Sequence, residues 1–289
     1  RVTESVVGAL APALYRAEVE RSMHKPVPNL DAYDCLLRAQ PLVIANAAPQ
    51  ATEALGLLDK AIAVSPDFAR AHAFAAMAWG QIFRVATGAQ REDARKRAVG
   101  HAHRAVEQAG EDATALAYAG FLLLIAANDV AGARDALDRA VTLNPNHAAA
   151  YAYRALVRAM AGGAPQLAIE DASRAMRLSP LDPGGYQPQM AMAIAHLELG
   201  NHGETCDWAR KAIRSAPARY PMSYAWLIVG ECARGNNAEA ERQLERLTEI
   251  VPGFARQALG NLFDIFPEPL RSNSLTTLRN AGLLPQADR

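Results

Sequence analysis

The chain has 289 residues and a mass of 31.0 kDa, enough for one large domain or two ordinary ones with a substantial core. Basic and acidic residues both number 30, so no chain-wide positive field exists to attract nucleic acid. The three cysteines, Cys35, Cys206 and Cys232, lie far apart and form neither a disulfide framework nor a metal knuckle, which favours a cytoplasmic protein. The longest apolar run, Ala115 to Ala127, is too short to span a bilayer as a helix.

The N-terminal residues predict a connecting helix. Apolar side chains follow helical spacing from Val6 to Leu14 behind Thr3, a suitable helix cap. Lys25-Pro26-Val27-Pro28 ends this segment, and Asp31 can cap the next helix. We therefore expect residues 1–28 to precede the main body of the fold.

Residues 29–266 contain an internal repeat. Small residues begin the series at Ala54, Ala98, Ala133, Ala168, Thr205 and Ala240. Seven positions later stand Ala61, Ala105, Ala140, Ala175, Ala212 and, as the exception, Leu247. Helix breakers follow twelve positions after each first member: Pro66, Gly110, Pro145, Pro180, Pro217 and Pro252. Seven residues are almost two helical turns, so each pair shares one face, where a neighbouring helix can approach closely.

The turns inside the repeats also have a pattern. Asn128, Gly163, Gly200 and Gly235 each stand five residues before a first member and suit the left-handed cap that closes a helix. Each unit is therefore predicted as helix, tight turn, helix and breaker. The first two units are 44 residues apart, while the later intervals are 35 to 37. We expect the extra residues, around Val85 to Asp93, to form a longer loop.

The C-terminal residues predict two more helices. Residues Phe254 to Phe266 form an apolar stretch, and Pro267-Glu268-Pro269 introduces a final helix that ends near Gly282. We expect residues 267–289 to cover the exposed apolar face of the last repeat, as terminal helices do in repeat proteins.

The segments AIAVSPDFARAHAFAAMAW, ALDRAVTLNPNHAAAYAYRALVRAMAG and AIEDASRAMRLSPLDPGGY resemble tetratricopeptide (TPR) repeats. The resemblance implies an all-α, right-handed α-solenoid of about six helix pairs with flanking N- and C-terminal helices. It also implies a concave groove, lined by the first helices of the pairs, that binds a protein or peptide. Several aromatic positions of the TPR pattern are replaced here, and Leu247 occupies a small-residue position.

A narrower resemblance covers nearly the whole chain. The opening TESVVGALAPALYRAEVERSMHKPVPNLDAYDCLLRAQ, the phrase AMRLSPLDP and the closing PEPLRSNSLTTLRNAGLLP are similar to the C-terminal region of bacterial regulators. In those proteins a TPR array follows a class III adenylate or guanylate cyclase domain, or a winged-helix DNA-binding domain. The opening and closing phrases are most similar to the cyclase branch. Because the chain starts at Arg1 without Met, we expect a regulatory module whose effector domain lies upstream; an autonomous adaptor is the alternative.

Catalytic and metal-binding motifs are absent from the sequence. It contains no GxxxxGK[ST], HExxH or GxSxG motif, and His101 and His103 are too close in sequence to share a helix face. His202 and Cys206 have i, i+4 spacing but lack further ligands nearby, so a buried thiol is favoured. We expect no catalytic residue, metal or cofactor. Carboxylates on the second helices are expected to face solvent: Glu170, Asp171, Glu239, Glu241 and Glu245.

Two groups of side chains are candidates for contacts with a partner. The groove candidates are the aromatic and arginine residues of two first helices: Tyr151, Tyr153, Arg154, Arg158, Tyr224 and Trp226. Some of them must instead lie between helices, and the sequence does not separate the two roles. A basic cluster, Arg91, Arg95, Lys96, Arg97, His101, His103 and Arg104, could bind an acidic partner. A solvated face balanced by Glu92 and Asp93 is the favoured interpretation.

Overall fold

A computed structural model describes residues 17–25, 30–180, 185–215, 221–251, 254 and 258–286. Across these ranges the chain is helical and contains no strand, which confirms the predicted all-α class. The predicted helix around Val6 to Leu14 and the breakers Pro217 and Pro252 lie outside the described residues.

The chain divides into two compact units, residues 1–154 with 177–180 and residues 155–176 with 181–289. The first unit contains α1, helical over residues 17–23, and six further helices: α2 (Ala32–Ile44), α3 (Ala48–Val64), α4 (Ala69–Val85), α5 (Gly88–Gln108), α6 (Ala113–Ala127) and α7 (Val130–Leu143). Helices α8 (Ala148–Ala161) and α9 (Pro165–Leu178) contribute to both units. The second unit adds α10 (Tyr186–Glu198), α11 (His202–Ser215), α12 (Pro221–Ala233), α13 (Asn237–Ile250), α14 (Ala258–Asn261) and α15 (Leu270–Asn280).

The helices pack in the order that the repeat predicts. In the first unit α2 packs on α3, α4 on α5 and α6 on α7, and the first helices α2, α4 and α6 also contact one another in sequence. In the second unit α10 packs on α11 and α12 on α13. Asp31 caps α2 and forms a capping box with Asp34, as expected for the start of the array.

The small-residue series lies at the contacts between helices, which confirms the repeat register. Eleven of its members are completely buried and Ala175 is 3% exposed. Helix α6 approaches α7 especially closely at Gly120, where an added Cβ would lie 3.1 Å from both the Ala136 Cβ and the Leu137 Cγ. Leu247 is also fully buried, so the last repeat accommodates a larger side chain at this position.

The predicted turns are confirmed. Asn128, Gly163, Gly200 and Gly235 have φ values of 54°, 78°, 74° and 78°, the left-handed conformation that closes the first helix of a pair. The Asn128 and Asp129 amides donate to the carbonyls of Leu124 and Leu123 and thereby satisfy the last turn of α6.

The predicted long loop around Val85 to Asp93 is wrong. Only residues 86–87 separate α4 from α5, and the extra residues lengthen these helices to 17 and 21 residues, compared with 15 and 14 in α6 and α7. The start of α5 is stabilised by ion pairs one turn apart, from Glu92 to Arg95 and from Asp93 to Arg97. These local pairs and helix-favouring residues explain why the insertion is helical.

The expected single helix from Phe254 to Phe266 is also wrong. Helix α14 covers four residues, and turns follow it over residues 262–265. Hydrogen bonds from Leu262 to Leu259 and from Phe263 to Gly260 show the tighter turn geometry. Helix α15 then packs on α12 and ends before Gly282 (φ 77°), so the predicted final helix is confirmed.

Candidate functional site

Tyr151 and Arg154 form a small, partly exposed surface near the start of α8. The Arg154 guanidinium lies 5.2 Å from the centre of the Tyr151 ring, and its Nη1 donates to the Asp138 Oδ1 of α7 at 2.9 Å. The Arg154 side chain is 15% exposed and that of Asp138 is 58% exposed. A planar guanidinium held in this way keeps N–H donors in a fixed orientation next to an aromatic ring.

His147 fixes the start of α8. Its Nδ1 accepts a hydrogen bond from the Ala150 amide at 3.1 Å, so the imidazole proton is on Nε2. The Nε2 atom lies 2.9 Å from the Thr114 Oγ of α6. The contact between Thr114 and His147 has a counterpart one repeat earlier. There Arg70 of α4 donates to Asp112, the residue that caps α6, at 2.9 and 3.1 Å. These contacts join α4 to the start of α6, and α6 to the start of α8.

Tyr153 belongs to a row of aromatic rings. Its ring centre lies 4.8 Å from that of Phe121 and 5.2 Å from that of Tyr118, and Tyr118 lies 4.7 Å from Phe74. Phe74, Tyr118 and Tyr153 are separated by the repeat intervals of 44 and 35 residues, so they occupy equivalent positions on α4, α6 and α8. Tyr153 is 4% exposed, and the structure therefore places its ring in the packing between first helices.

Arg158 joins α8 to α9 within the second unit. Its Nη1 donates to the Asp171 Oδ2 at 2.7 Å, and Asp171 is buried. The expectation that Asp171 faces solvent is therefore wrong, because its carboxylate is needed to pair with Arg158. Glu239 and Glu241 are half-buried rather than exposed, and Glu239 accepts hydrogen bonds from Arg242 and Gln243. Glu170 and Glu245 are exposed as expected.

Tyr224 and Trp226 lie in the core of the second unit. Trp226 is fully buried, and its ring meets the edges of Phe263 and Phe266 at centre distances of 5.3 and 5.1 Å. Tyr224 is 3% exposed. The Trp226 ring thus packs the C-terminal turns against α12, and Tyr224 is part of the buried core.

The side chains of the basic cluster on α5 contact nearby carboxylates and aromatic rings. Glu92 pairs with Arg95 and Lys96, and the Arg91 and Arg97 guanidinium groups lie over the rings of Phe83 and Trp79, at 4.2 and 4.9 Å. The favoured interpretation of a balanced helix face agrees with this geometry. These arginines cover aromatic surface of α4 as well as meeting solvent.

One member of that cluster, His101, is not a solvated residue. Its Nδ1 lies 2.9 Å from the Nδ1 of His72, which is 1% exposed, and the His72 Nε2 lies 2.9 Å from the Pro66 carbonyl oxygen. Because a carbonyl only accepts, the His72 proton is on Nε2 and His101 donates to its Nδ1. Burial, followed by the charges of His72, Arg104 and Arg97, lowers the pKa of His101 to about 4.

The sequence offered one sign of this pair. His72 interrupts the otherwise apolar run AHAFAAMAWG of α4, and a buried polar residue in such a run needs a hydrogen-bond partner. The partner itself is 29 positions away and is brought near by the packing of α4 on α5.

The cysteines have the properties of buried structural thiols. All three are free and buried, and burial raises the pKa of Cys206 and Cys232 to about 11. Near Cys206 the buried Glu231 carboxylate is bound by Arg210 at 2.5 Å and by Asn236 at 3.0 Å. Both thiols are thus protonated at neutral pH and are poor nucleophiles.

The described residues contain no cluster of three or more His, Cys, Asp or Glu side chains that could bind a metal ion. None of their helices combines the length and apolar character that crossing a bilayer requires.

Comparison with known proteins supports the fold. No protein-family model and no curated protein matches the chain. It is similar in structure to the APC/C hetero-tetramer Cut9-Hcn1, with a TM-score of 0.60 and 14% identity over 94% of this chain and 46% of that chain. The chain thus spans about half the length of that protein.

Two further structures are similar over most of their length. The type IV pilus biogenesis factor PilW has a TM-score of 0.53 and 15% identity over 86% of this chain and 98% of its own. A tetratricopeptide repeat protein from Parabacteroides merdae has a TM-score of 0.49 and 15% identity over 89% and 94%. At these identities the first two similarities show the fold alone, which is a TPR-like α-solenoid.

Proposed function

We propose that this chain is a protein- or peptide-binding scaffold and that its partner contacts the first helices. The observation that carries the proposal is the Tyr151–Arg154 surface, an aromatic ring and an oriented guanidinium at the start of a first helix in a TPR-like fold. Such side chains supply contact area and hydrogen-bond donors at low cost in side-chain entropy. The fold itself is consistent with protein binding.

The other groove candidates have supporting roles in this proposal. Tyr153 packs beneath the surface in the aromatic row, and Arg158 holds α9 through Asp171. Trp226 packs the last repeat against the C-terminal turns, and Tyr224 is buried in the core of the same helix. A partner would therefore contact Tyr151 and Arg154 directly and depend on the other four through the shape of the helices.

The proposed biological setting is a bacterial signalling protein in the cytoplasm. The resemblance of the opening and closing phrases supports a regulatory C-terminal module, with a class III adenylate cyclase domain upstream. Residues 1–28 would connect that domain to an array of residues 29–266, which residues 267–289 would cap. The free, buried cysteines agree with a reducing compartment. A winged-helix regulator and an autonomous adaptor are the alternatives.

Binding can be tested with a displayed library of random peptides. We expect selected peptides to bind the chain and to lose about tenfold or more in affinity on Arg154→Ala, since interface arginines are frequent energetic anchors. Arg134→Ala, a matched change at an exposed arginine of the second helix α7, should leave affinity unchanged. Failure to select any peptide, or equal losses in the two variants, would contradict the proposal.

The regulatory role needs the longer protein. We expect the gene upstream of Arg1 to encode a cyclase domain, and removal of the chain after Arg21 to change the rate of cyclic AMP formation. A winged-helix sequence upstream would favour the transcriptional alternative. An initiator Met just before Arg1, with no further domain, would favour the adaptor.

A further inference from the structure

Residues 17–25, which we call the N-terminal strap, are bound to α2 almost entirely through polar groups. Of these residues Ser22 is fully buried, while Val19 and Lys25 are half-buried and the other six are exposed. The apolar side chain of Met23 is 63% exposed. Burial of apolar surface, the usual basis of helix packing, therefore contributes little to this contact.

The strongest contact is made by Arg38 of α2. Its Nε donates to the Ser22 carbonyl at 3.1 Å, and its Nη2 donates to the same oxygen and to the Lys25 carbonyl, the latter at 2.6 Å. The last carbonyls of a helix have no partners within the helix and carry the negative end of its dipole. Arg38 thus binds the C-terminal end of α1 by charge and by hydrogen bonds together.

Two further polar contacts flank this one. The Lys25 ammonium is bound to the buried Asp34 carboxylate and lies 3.7 Å from Asp31. The Tyr33 hydroxyl donates to the Glu18 carboxylate at 2.9 Å. Among the described residues, the side-chain hydrogen bonds and ion pairs that leave the strap all end on Asp31 or α2.

We propose that the strap is a separate two-state element, which leaves α2 while the repeat array stays folded. The described residues of the strap bury little apolar surface, so the strap depends on these polar contacts to stay on α2. Binding through charged groups is weakened by salt, whereas the alanine-rich core of α2, α3 and α4 is not. Release would uncover Tyr33, Asp34 and Arg38 together on the first helix of the array, next to the point where the chain enters it.

Hydrogen exchange measured by mass spectrometry on the whole chain tests this proposal. At low salt we expect the amides of residues 17–25 to be protected, and at 0.5 M NaCl to exchange about tenfold faster while the α3 and α4 peptides are unchanged. Arg38→Lys keeps the positive charge but loses the several N–H donors of the planar guanidinium. It should accelerate amide exchange in the strap by about tenfold at low salt. Tyr33→Phe removes one exposed contact and should have a smaller effect in the same direction.

Arg70→Lys is the matched control, because Arg70 makes a similar two-bond contact elsewhere in the first unit, with Asp112. It should not accelerate exchange in the strap. The proposal is overturned if the strap exchanges together with α3 and α4 under every condition, if Arg38→Lys accelerates all three equally, or if the strap is unprotected in the wild type at low salt.

Discussion

Acidification should destabilise the first unit through His101. The pKa of this ring is about 4 in the fold and about 6.5 in the unfolded chain, so between these values the unfolded state binds a proton that the folded state does not. The stability associated with the neutral pair is therefore complete above pH 6.5 and is lost as the pH falls towards 4. The loss of stability is tied to the contact with the buried His72. If both rings were protonated, each Nδ1 would carry a proton and the Nδ1–Nδ1 hydrogen bond would be lost.

The magnitude follows from the two pKa values. From pH 7 to pH 5 they give a loss of about 2 kcal/mol in the free energy of unfolding. The His101 ring is half-buried, and screening by solvent reduces the expected loss to about 1 kcal/mol. Urea denaturation followed by circular dichroism at pH 7 and pH 5, at constant ionic strength, measures this difference.

Two variants separate the effect of His101 on stability from that of the other groups that titrate in acid. His101→Gln keeps a donor for His72 and should reduce the difference between pH 7 and pH 5 by about 1 kcal/mol. His103→Gln, a change at the exposed histidine two positions later, should leave the difference as it is in the wild type. If both variants behave alike, or if His101→Gln leaves the pH dependence unchanged, the buried pair is not what the acid acts on.

The helix contacts and the thiols give three more predictions. Gly120→Ala pushes α6 away from α7 and should lower the melting temperature. Gly100→Ala places its new Cβ where no atom lies within 4 Å, and it should stabilise its helix by about 0.5–1 kcal/mol. A rise for Gly120→Ala equal to that for Gly100→Ala would refute the close contact. Ala140→Leu should cost about 1–3 kcal/mol of unfolding free energy, and the same change at the exposed Ala131 of the same helix less than about 0.5 kcal/mol; equal costs would contradict the repeat register. The three cysteines should react with a thiol reagent at neutral pH only after unfolding by urea, and rapid reaction of the native chain would contradict their burial.

The repeat positions were predictable because they depend on backbone geometry. A small residue is required wherever two helices approach closely, and a left-handed cap is required wherever the chain turns within a tight loop. Both requirements recur with each unit, so they leave a period in the sequence. Ala133, which is completely buried, and Asn128, with a φ of 54°, illustrate the two cases.

The insertion in the second repeat could not be placed by the same reasoning. A break in the period shows that residues have been added but does not show whether they form a loop or lengthen the helices. Ion pairs between Glu92 and Arg95 and between Asp93 and Arg97 favour the helix, and they come from spacing within the insertion itself.

The same period accounts for Tyr153 but not for Arg154. Tyr153 has aromatic counterparts at the equivalent positions of two earlier first helices, Tyr118 and Phe74, and the three rings form one continuous contact. Arg154 instead corresponds to Ala119 and Ala75, which are completely buried. A side chain that recurs at repeat intervals is explained by packing between repeats, since that requirement is the same in every unit. One that departs from the period, as Arg154 does, meets a requirement that arises once in the array: the ion pair with Asp138 is one, and contact with the partner proposed above would be another.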